Sequence, residues 1–130
     1  MRGESPGSIA VMSSTQRNFR LTTSAGKTVV AAVAMADTPW QRFMGLMGKH
    51  ELAADAGLCL RPCSSIHMFF MRFPVDVAFI DADGKVVHMY NGLRPWRVSR
   101  IVRRAKAAIE LPSGALARAG VGVGDLLTMS

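Results

Sequence analysis

The sequence predicts a mainly β fold: a single compact antiparallel β-barrel or sandwich with one or two short helices. Its 130 residues are enough for one domain. Hydrophobic residues make up 49% of the chain and charged residues only 19%, which is sufficient to build a core. Short apolar segments alternate with turn residues, and no pattern of strands alternating with long helices is present. A doubly wound nucleotide-binding fold is therefore not expected.

The chain divides into a tail and one domain. Residues 1–17 are rich in Gly, Ser and Pro and have no apolar period, which predicts a mobile N-terminal tail before a single domain over 18–130. The tail has no apolar stretch typical of a signal peptide, so we expect a cytoplasmic protein, or a secreted one if the chain has been trimmed. The longest apolar run, 29–36, is too short for a membrane-spanning helix.

The N-terminal half predicts a hairpin followed by a helix. Residues 19–23 and 28–36 are apolar strands on either side of a short polar turn. A helix over 38–47 is indicated by Pro39 in its first turn and by apolar residues that recur at spacings of three and four. These apolar residues are Trp40, Phe43, Met44 and Met47.

The C-terminal half predicts further short strands and one more helix. Strands are expected over 57–61, 65–73, 75–81, 85–91, 105–111 and 126–129, and a helix over 114–118. Both alternating faces of 65–73 are apolar, which predicts a central strand buried on both sides. The pair Asp83-Gly84 is a strong hairpin signal. Ser113 is expected to cap the helix.

Positive charge is concentrated in a segment, 92–104, that is predicted to be mostly loop. The chain has a formal charge of +7, and residues 94–106 contain no acid and the cations Arg94, Arg97, Arg100, Arg103, Arg104 and Lys106. Such a segment attracts phosphates or acidic surfaces, although its simpler role is a solvated loop. Trp96 within it is predicted to be a hydrophobic latch that holds the loop. The alternative role for Trp96 is stacking on single-stranded nucleic acid.

Asp76 is a carboxylate in a strand that is otherwise apolar. A buried carboxylate must be hydrogen-bonded or paired, because leaving it alone in the core is costly. We expect Arg42 on the first helix to be its partner, because arginine binds a carboxylate with two parallel hydrogen bonds. The pair has two interpretations: an ion pair that fixes the helix against the sheet, or part of a ligand pocket.

Cys59, Cys63 and His67 recur at a spacing of four residues. On an extended strand each gap spans about 13 Å, so a shared metal would require the chain to fold back. A fourth ligand would have to come from Asp76 or His88. The other interpretations are two reduced thiols or a disulfide. We predict no metal and no cofactor, and keep catalysis with His67 as general base as an alternative.

Four blocks of the sequence together resemble a known family. They are R-F-M-G-L-M at 42–47, Met68 with P-V-D-V-A-F-I-D at 74–81, D-G-K-V-V at 83–87, and I-E-L-P-S-G at 109–114 with the glycines and aspartate at 120–125. In this order and spacing they resemble the bacterial and archaeal family named domain of unknown function 192. The resemblance covers residues 18–130, implies a compact, mainly β domain, and implies no established activity.

The resemblance also reveals a departure at residues 67–71. Many relatives have the run W-M-K-N-T where this chain has H-M-F-F-M. The polar Lys, Asn and Thr of the relatives are replaced by Phe69, Phe70 and Met71. If those polar groups form a site in the relatives, that site is altered here.

The leading functional hypothesis is a non-enzymatic binding or accessory domain for an anionic small molecule or an acidic protein. The sequence has no nucleophile elbow, P-loop or dinucleotide fingerprint, which favours a protein without catalytic activity. The residues expected to bind the partner are Arg42, His67, Asp76, Trp96, Arg97 and Arg100. Two alternatives are a small metal-assisted hydrolase using Cys63, His67 and Asp76, and nucleic-acid binding through 94–106.

Overall fold

The computed structural model describes residues 18–36 and 52–130, which form one curled sheet of seven strands and one short helix. The strands are β1 (Asn18–Thr23), β2 (Thr28–Ala36), β3 (Ala56–Leu60), β4 (Val75–Ile80), β5 (Val86–Leu93), β6 (Ala107–Pro112) and β7 (Leu127–Met129), and helix α1 is Ala115–Ala119. The predicted mainly β fold class is thus confirmed. The predicted tail over 1–17 and helix over 38–47, with Arg42, lie outside the described residues.

The strands follow the order β5-β4-β6-β3-β2-β1-β7 across the sheet. Neighbouring strands are antiparallel except for β2 and β3, which run parallel from the pair Ala32–Ala56 to the pair Ala36–Leu60. The expectation of a purely antiparallel sheet is therefore wrong at this one pair. Parallel neighbours need a long crossover connection, and residues 37–55 make that connection between β2 and β3.

The sheet curls until its two edge strands meet at one end. An isolated antiparallel bridge joins Lys85, before β5, to Leu126, before β7. Around it, the N–H of Val86 donates to the carbonyl of Asp125 at 2.8 Å, and the N–H of Leu127 donates to the carbonyl of Gly84 at 2.9 Å. The result is a partly closed barrel, because the rest of these two edges has no strand partner among residues 18–36 and 52–130.

Two hydrophobic cores lie on opposite faces of the sheet. The concave face holds one cluster, to which every strand and α1 contribute; it includes Leu21, Ile109 and Leu116. The opposite face holds a second cluster in which Phe79 packs with Met68 and other residues of the loops after β3 and β5. Every residue of β4 is buried, as expected for a strand covered on both faces.

The predicted central strand over 65–73 is wrong. Residues 66–68 instead pair loosely with 97–99, with the N–H of Met68 donating to the carbonyl of Arg97 at 2.7 Å and the N–H of Ser99 donating to that of Ile66 at 2.9 Å. The chain then turns back, because Phe70 has a φ of 64°. Residues 65–73 therefore have the apolar pattern of a buried strand but form a turn, in which the side chains of Phe69 and Phe70 are exposed.

The other predicted strands and the second helix are confirmed within a few residues, but the helix cap is different. Helix α1 begins after Gly114, and no side chain at that position caps it. The carboxylate of Asp76 accepts the N–H groups of Gly114 and Leu116 instead. The prediction that Ser113 caps the helix is thus wrong, because an acceptor from a strand distant in sequence occupies the place of a local cap.

Candidate functional site

Three aromatic side chains form an exposed cluster at the tips of two loops. The rings of Phe70 and Trp96 lie with their centroids 5.0 Å apart, and those of Phe69 and Trp96 lie 5.9 Å apart. Phe70 is 62% exposed and Trp96 is 59% exposed. Val98 and Ile101 extend the exposed apolar area along the same loop. We call Phe69, Phe70 and residues 94–101 together the aromatic–basic surface.

The charge of the aromatic–basic surface is wholly positive. Arg94, Arg97 and Arg100 are exposed, and no acid occurs between residues 94 and 106. The other cations of the predicted basic segment, Arg103, Arg104 and Lys106, are exposed as well. Trp96, which the sequence predicts to be a hydrophobic latch for this loop, contacts Phe69 and Phe70 of the other loop while more than half of its surface faces solvent.

Two of the exposed aromatic residues adopt a strained backbone conformation. Phe70 and Trp96 both have a φ of 64°, in the left-handed region that favours glycine. A non-glycine residue in this region costs roughly 1–2 kcal/mol. Hydrogen bonds hold the conformation: the N–H of Trp96 donates to the carbonyl of Met68 at 2.7 Å, and that of Met71 donates to the same carbonyl at 3.2 Å. Strain of this kind concentrates at functional sites.

Two hydroxyl groups, of the buried Ser99 and the partly exposed Tyr90, fix the loop that carries the arginines. The Ser99 hydroxyl accepts the N–H of Ile66 at 2.9 Å and donates to the carbonyl of Arg100 at 2.9 Å. The phenol oxygen of Tyr90, on β5, accepts the N–H of Arg100 at 2.9 Å. The aromatic–basic surface is therefore presented on a backbone tied to the barrel at several points.

Asp76 lies away from this surface and has a structural role. Its side chain is fully buried, and its oxygens accept the N–H groups of Gly92 at 2.8 Å, Gly114 at 3.1 Å and Leu116 at 3.0 Å. The expectation that Asp76 would be hydrogen-bonded is confirmed, with backbone donors. A carboxylate enclosed in this way is not open to an external ligand. Arg42, its predicted partner, lies outside the described residues.

His67 contacts the aromatic cluster and Cys63 packs against the second core, and neither forms a catalytic set with Asp76. The His67 ring stacks on Phe69 at 5.0 Å, and its Nδ1 accepts the N–H of Phe69 at 3.2 Å. The Cys63 thiol donates to the carbonyl of Ser65 at 3.1 Å and packs against the cluster opposite to the Asp76 side of the sheet. Among residues 18–36 and 52–130, no group of three His, Cys, Asp or Glu side chains is placed to hold a metal ion.

Neither of the two cysteines forms a disulfide, so the disulfide interpretation is wrong. Cys59 is buried in the concave core, and this burial raises the pKa of its thiol to about 11. A thiol with so high a pKa is almost entirely protonated at neutral pH and is a poor nucleophile.

Glu110, on β6, is a buried acid that the sequence analysis treated only as part of a motif. It stands between Leu58 of β3 and Val77 of β4, and its Oε1 has no hydrogen-bond partner in the part of the chain that the structure describes. Burial raises the pKa of this carboxyl to about 7. The alternation of β6 places Glu110 on the face opposite to Ile109 and Leu111, which a sequence pattern predicts, whereas the burial of its carboxyl is visible only in the structure.

Sequence reasoning also missed the exposed Phe69 and Phe70. It treated them as core residues because both faces of 65–73 are apolar. The signal that pointed to them was the departure from the family, which has polar residues at the same positions. A surface turn that is polar in relatives is expected to remain on the surface when its residues become apolar.

Comparison with known proteins identifies the family. The family model for the domain of unknown function 192, described as an uncharacterized ACR, matches residues 20–129. The chain belongs to this family. A UPF0127 protein of Pyrococcus furiosus is 36% identical over 110 residues, which are 82% of this chain and 94% of that protein. A UPF0127 protein of Thermococcus sibiricus is 36% identical over 104 residues, which are 77% of this chain and 67% of that protein.

Two crystal structures have a similar fold to this member of the domain of unknown function 192 family. One is a suggested transcription regulator from Sinorhizobium meliloti, with a TM-score of 0.75 and 29% identity over 88% of this chain and 94% of that one. The other is a protein of unknown function from Novosphingobium aromaticivorans, with a TM-score of 0.76 and 23% identity over 87% of this chain and 84% of that one.

Proposed function

We propose that this domain is a non-enzymatic docking module that binds an acidic protein partner through the aromatic–basic surface. The observation that carries the proposal is the exposed cluster of Phe69, Phe70 and Trp96 next to three exposed arginines. Tryptophan and arginine are the residues most enriched among those that dominate protein–protein binding energy. An apolar cluster with a basic border fits an apolar pocket with an acidic border.

The geometry of the rings favours a protein partner over nucleic acid. The Trp96 ring contacts both Phe69 and Phe70, at interplanar angles of 37° and 59°, so the three rings form one exposed apolar cluster. Val98 and Ile101 add exposed aliphatic area, which gains free energy from burial in a pocket but does not stack on bases. The strained φ of Phe70 and Trp96 supports the same interpretation. The backbone strain costs free energy, yet the fold keeps both rings exposed, and strain of this kind concentrates at functional sites.

Nucleic-acid binding is the second candidate, and one observation favours it. Exposed aromatic rings beside several cations are the usual elements of single-strand recognition, and residues 94–106 supply six cations. The Sinorhizobium meliloti structure has been suggested to be a transcription regulator. Binding of this type would weaken steeply with salt, with a slope set by about six neutralised phosphates.

A direct test is selection from a phage-displayed peptide library that contains acidic and apolar residues. We expect the wild-type domain to enrich peptides in which an apolar segment, which would pack against the exposed rings, is flanked by Asp or Glu. They should bind at physiological salt, and Trp96→Ala and Phe70→Ala should each weaken binding at least tenfold. The matched control is Val123→Ala, which removes an exposed apolar side chain from a different part of the surface.

Two results would contradict the proposal. One is enrichment of the same peptides on wild type and on the Trp96→Ala variant, since the rings would then not contribute. The other is the absence of enriched peptides together with salt-dependent binding of a labelled oligothymidine that is lost in Trp96→Ala. That second result would assign the surface to nucleic acid.

A further inference from the structure

Glu110 is buried on the face of the sheet against which the loops of the aromatic–basic surface pack. It is only 4% exposed, and its Oε1 has no hydrogen-bond partner among the described residues. Its cross-strand neighbours are Leu58 and Val77, which both take part in the second core, the hydrophobic cluster opposite to the concave face. A buried carboxyl without a partner strongly favours the protonated form, because burying an unpaired charge is costly.

Two loops supply much of the second core that does not belong to the sheet. The loop after β3 contributes Ile66, Met68 and Met71, and the loop after β5 contributes Val102 and Ala105. All five side chains are buried. Water can therefore reach this core only if part of its packing opens.

The two loops are hydrogen-bonded to each other and form one unit. The N–H of Met68 donates to the carbonyl of Arg97, and the N–H of Trp96 donates to the carbonyl of Met68, both at 2.7 Å. The same unit carries Phe69 and Phe70. Strand β6, in contrast, is paired with a strand on each side, so it cannot move without breaking the sheet. The loops are therefore the part of the second core that opens most readily.

We propose that the proton on Glu110 controls the aromatic–basic surface: both loops stay packed while Glu110 is neutral, and its ionisation releases them so that water reaches the carboxylate. Burial raises the pKa of this carboxyl from 4.5 to about 7, which places the change near neutral pH. The surface is therefore ordered below pH 7 and loosened above it. This regulation rests on the docking function proposed above, whereas the movement of the loops can be measured without a partner.

Four other titratable side chains lie on this face or beside it: His88 and Tyr90 of β5, and Cys63 and His67 of the loop after β3. Strands β3 and β4 contribute only apolar side chains to the second core. The charged side chains of the two loops, which are arginines and Lys106, are exposed. Histidine is a residue type that changes charge near neutral pH, so the test must separate Glu110 from the two histidines.

The test measures how accessible Met68 and Met71 are to an uncharged soluble nitroxide, which broadens the NMR signals of nearby methyl groups. In the wild type we expect the broadening of both ε-methyl signals to be at least threefold greater at pH 8.5 than at pH 5.5. In Glu110→Gln both signals should stay equally protected at the two pH values. Met129, which packs against the concave core, is the internal reference and should not change.

His67→Asn and His88→Asn are the matched controls, because each removes a titratable ring beside the second core and leaves Glu110 in place. Both should keep the wild-type difference between pH 5.5 and pH 8.5. A difference that persists in Glu110→Gln, or that is lost in either histidine variant, would overturn the proposal. Protection of Met68 and Met71 at pH 8.5 in the wild type would overturn it as well.

The peptide most enriched in the selection described above tests the consequence for binding. Its Asp and Glu side chains are largely ionised already at pH 5.5, so its own charge changes little between the two conditions. We expect the wild type to bind it at least fivefold more weakly at pH 8.5 than at pH 5.5, and Glu110→Gln to bind it equally at both. Loops that open without a change in affinity would overturn the control of docking. If no peptide is enriched, the docking function fails, and the methyl signals still decide whether Glu110 moves the loops.

Discussion

The carboxylate of Asp76, on β4, accepts the backbone N–H of Leu116, in helix α1, at 3.0 Å across 40 residues of sequence. The same side chain holds Gly92 at the end of β5 and Gly114 before the helix. One buried carboxylate therefore connects two adjacent strands to the helix that covers one end of the barrel. Charged acceptors make stronger hydrogen bonds than neutral ones, so the Asp76 carboxylate stabilises the fold more than a neutral helix cap would.

We expect Asp76→Asn to lower the free energy of unfolding by about 3 kcal/mol. Asparagine keeps one acceptor oxygen and places an NH₂ group against backbone N–H groups, which leaves buried donors unsatisfied. Urea denaturation measures the change. The control is Asp125→Asn, because Asp125 makes an exposed hydrogen bond to the N–H of Gly122 at 2.8 Å and should cost less than about 1 kcal/mol. If the two variants lost the same free energy of unfolding, the buried hydrogen bonds of Asp76 would contribute no more than the exposed one of Asp125.

Glu110→Gln should stabilise the protein at high pH and leave it unchanged at low pH. Burial raises the pKa of Glu110 from 4.5 to about 7 in the folded state, so the folded protein binds the proton more tightly than the unfolded chain. The wild type therefore loses stability as the pH rises from 4.5 to 7, by roughly 3 kcal/mol in total. Glu110→Gln has no carboxyl that titrates at this position, so its free energy of unfolding should not fall in this way.

Urea denaturation of both proteins at pH 4.5 and pH 8 checks this expectation. Asp83→Asn, in an exposed turn, provides a control for general effects of charge removal. A difference between Glu110→Gln and wild type that is the same at both pH values would show that Glu110 does not titrate with the raised pKa.

Gly84→Ala should destabilise the fold much more than Gly26→Ala. Both glycines have a similar left-handed φ, 84° and 87°, so alanine pays the same backbone cost of about 1 kcal/mol or more at each. A Cβ at Gly26 meets open space, whereas one at Gly84 would lie 2.6 Å from the carbonyl oxygen of Leu127. We expect a loss of at least about 3 kcal/mol for Gly84→Ala, because the contact that closes the barrel must shift. Thermal denaturation of the two alanine variants separates the steric effect at Gly84 from the backbone cost that both share. Similar melting temperatures for the two variants would contradict the expected steric effect.

Phe70→Gly should be more stable than Phe70→Ala by about 1 kcal/mol. Both variants remove the exposed ring, but only glycine adopts the φ of 64° without strain. Phe69, which does not have a positive φ, provides the control: there the alanine variant should be the more stable one. The measurement is denaturant unfolding of the four variants. The opposite order at position 70 would show that its backbone is not strained in solution.

Both hairpins and every strand of the sheet could be predicted from local sequence information, whereas the same kind of information wrongly predicted a strand over 65–73. The β4–β5 turn follows from Asp83-Gly84, and the polar turn between the apolar segments of β1 and β2 predicts their pairing. The parallel pairing of β2 with β3 depends on the path of the long connection between them, which no local pattern specifies.

The candidate sites were less predictable, and the reasons differ. The exposure of Arg97 and Arg100 follows from charge, whereas that of Phe70 depends on a backbone φ that an apolar sequence does not indicate. The three donors that surround Asp76 come from residues 16 to 40 positions away, so a side-chain partner was the natural first hypothesis. The curl of the sheet also brings residues of β1, β4, β6 and β7 around one cleft, which no local pattern specifies.

The central position of β6 has a consequence for how the protein is made. This strand lies between β3 and β4, and it is the element that joins the β1–β2–β3 half of the sheet to the β4–β5 hairpin. A nascent chain that has left the ribosome only as far as residue 106 therefore carries two separate half-sheets, each with an unpaired edge. Such edges bind other exposed strands, so the interval before β6 emerges is the period of greatest exposure to aggregation during synthesis.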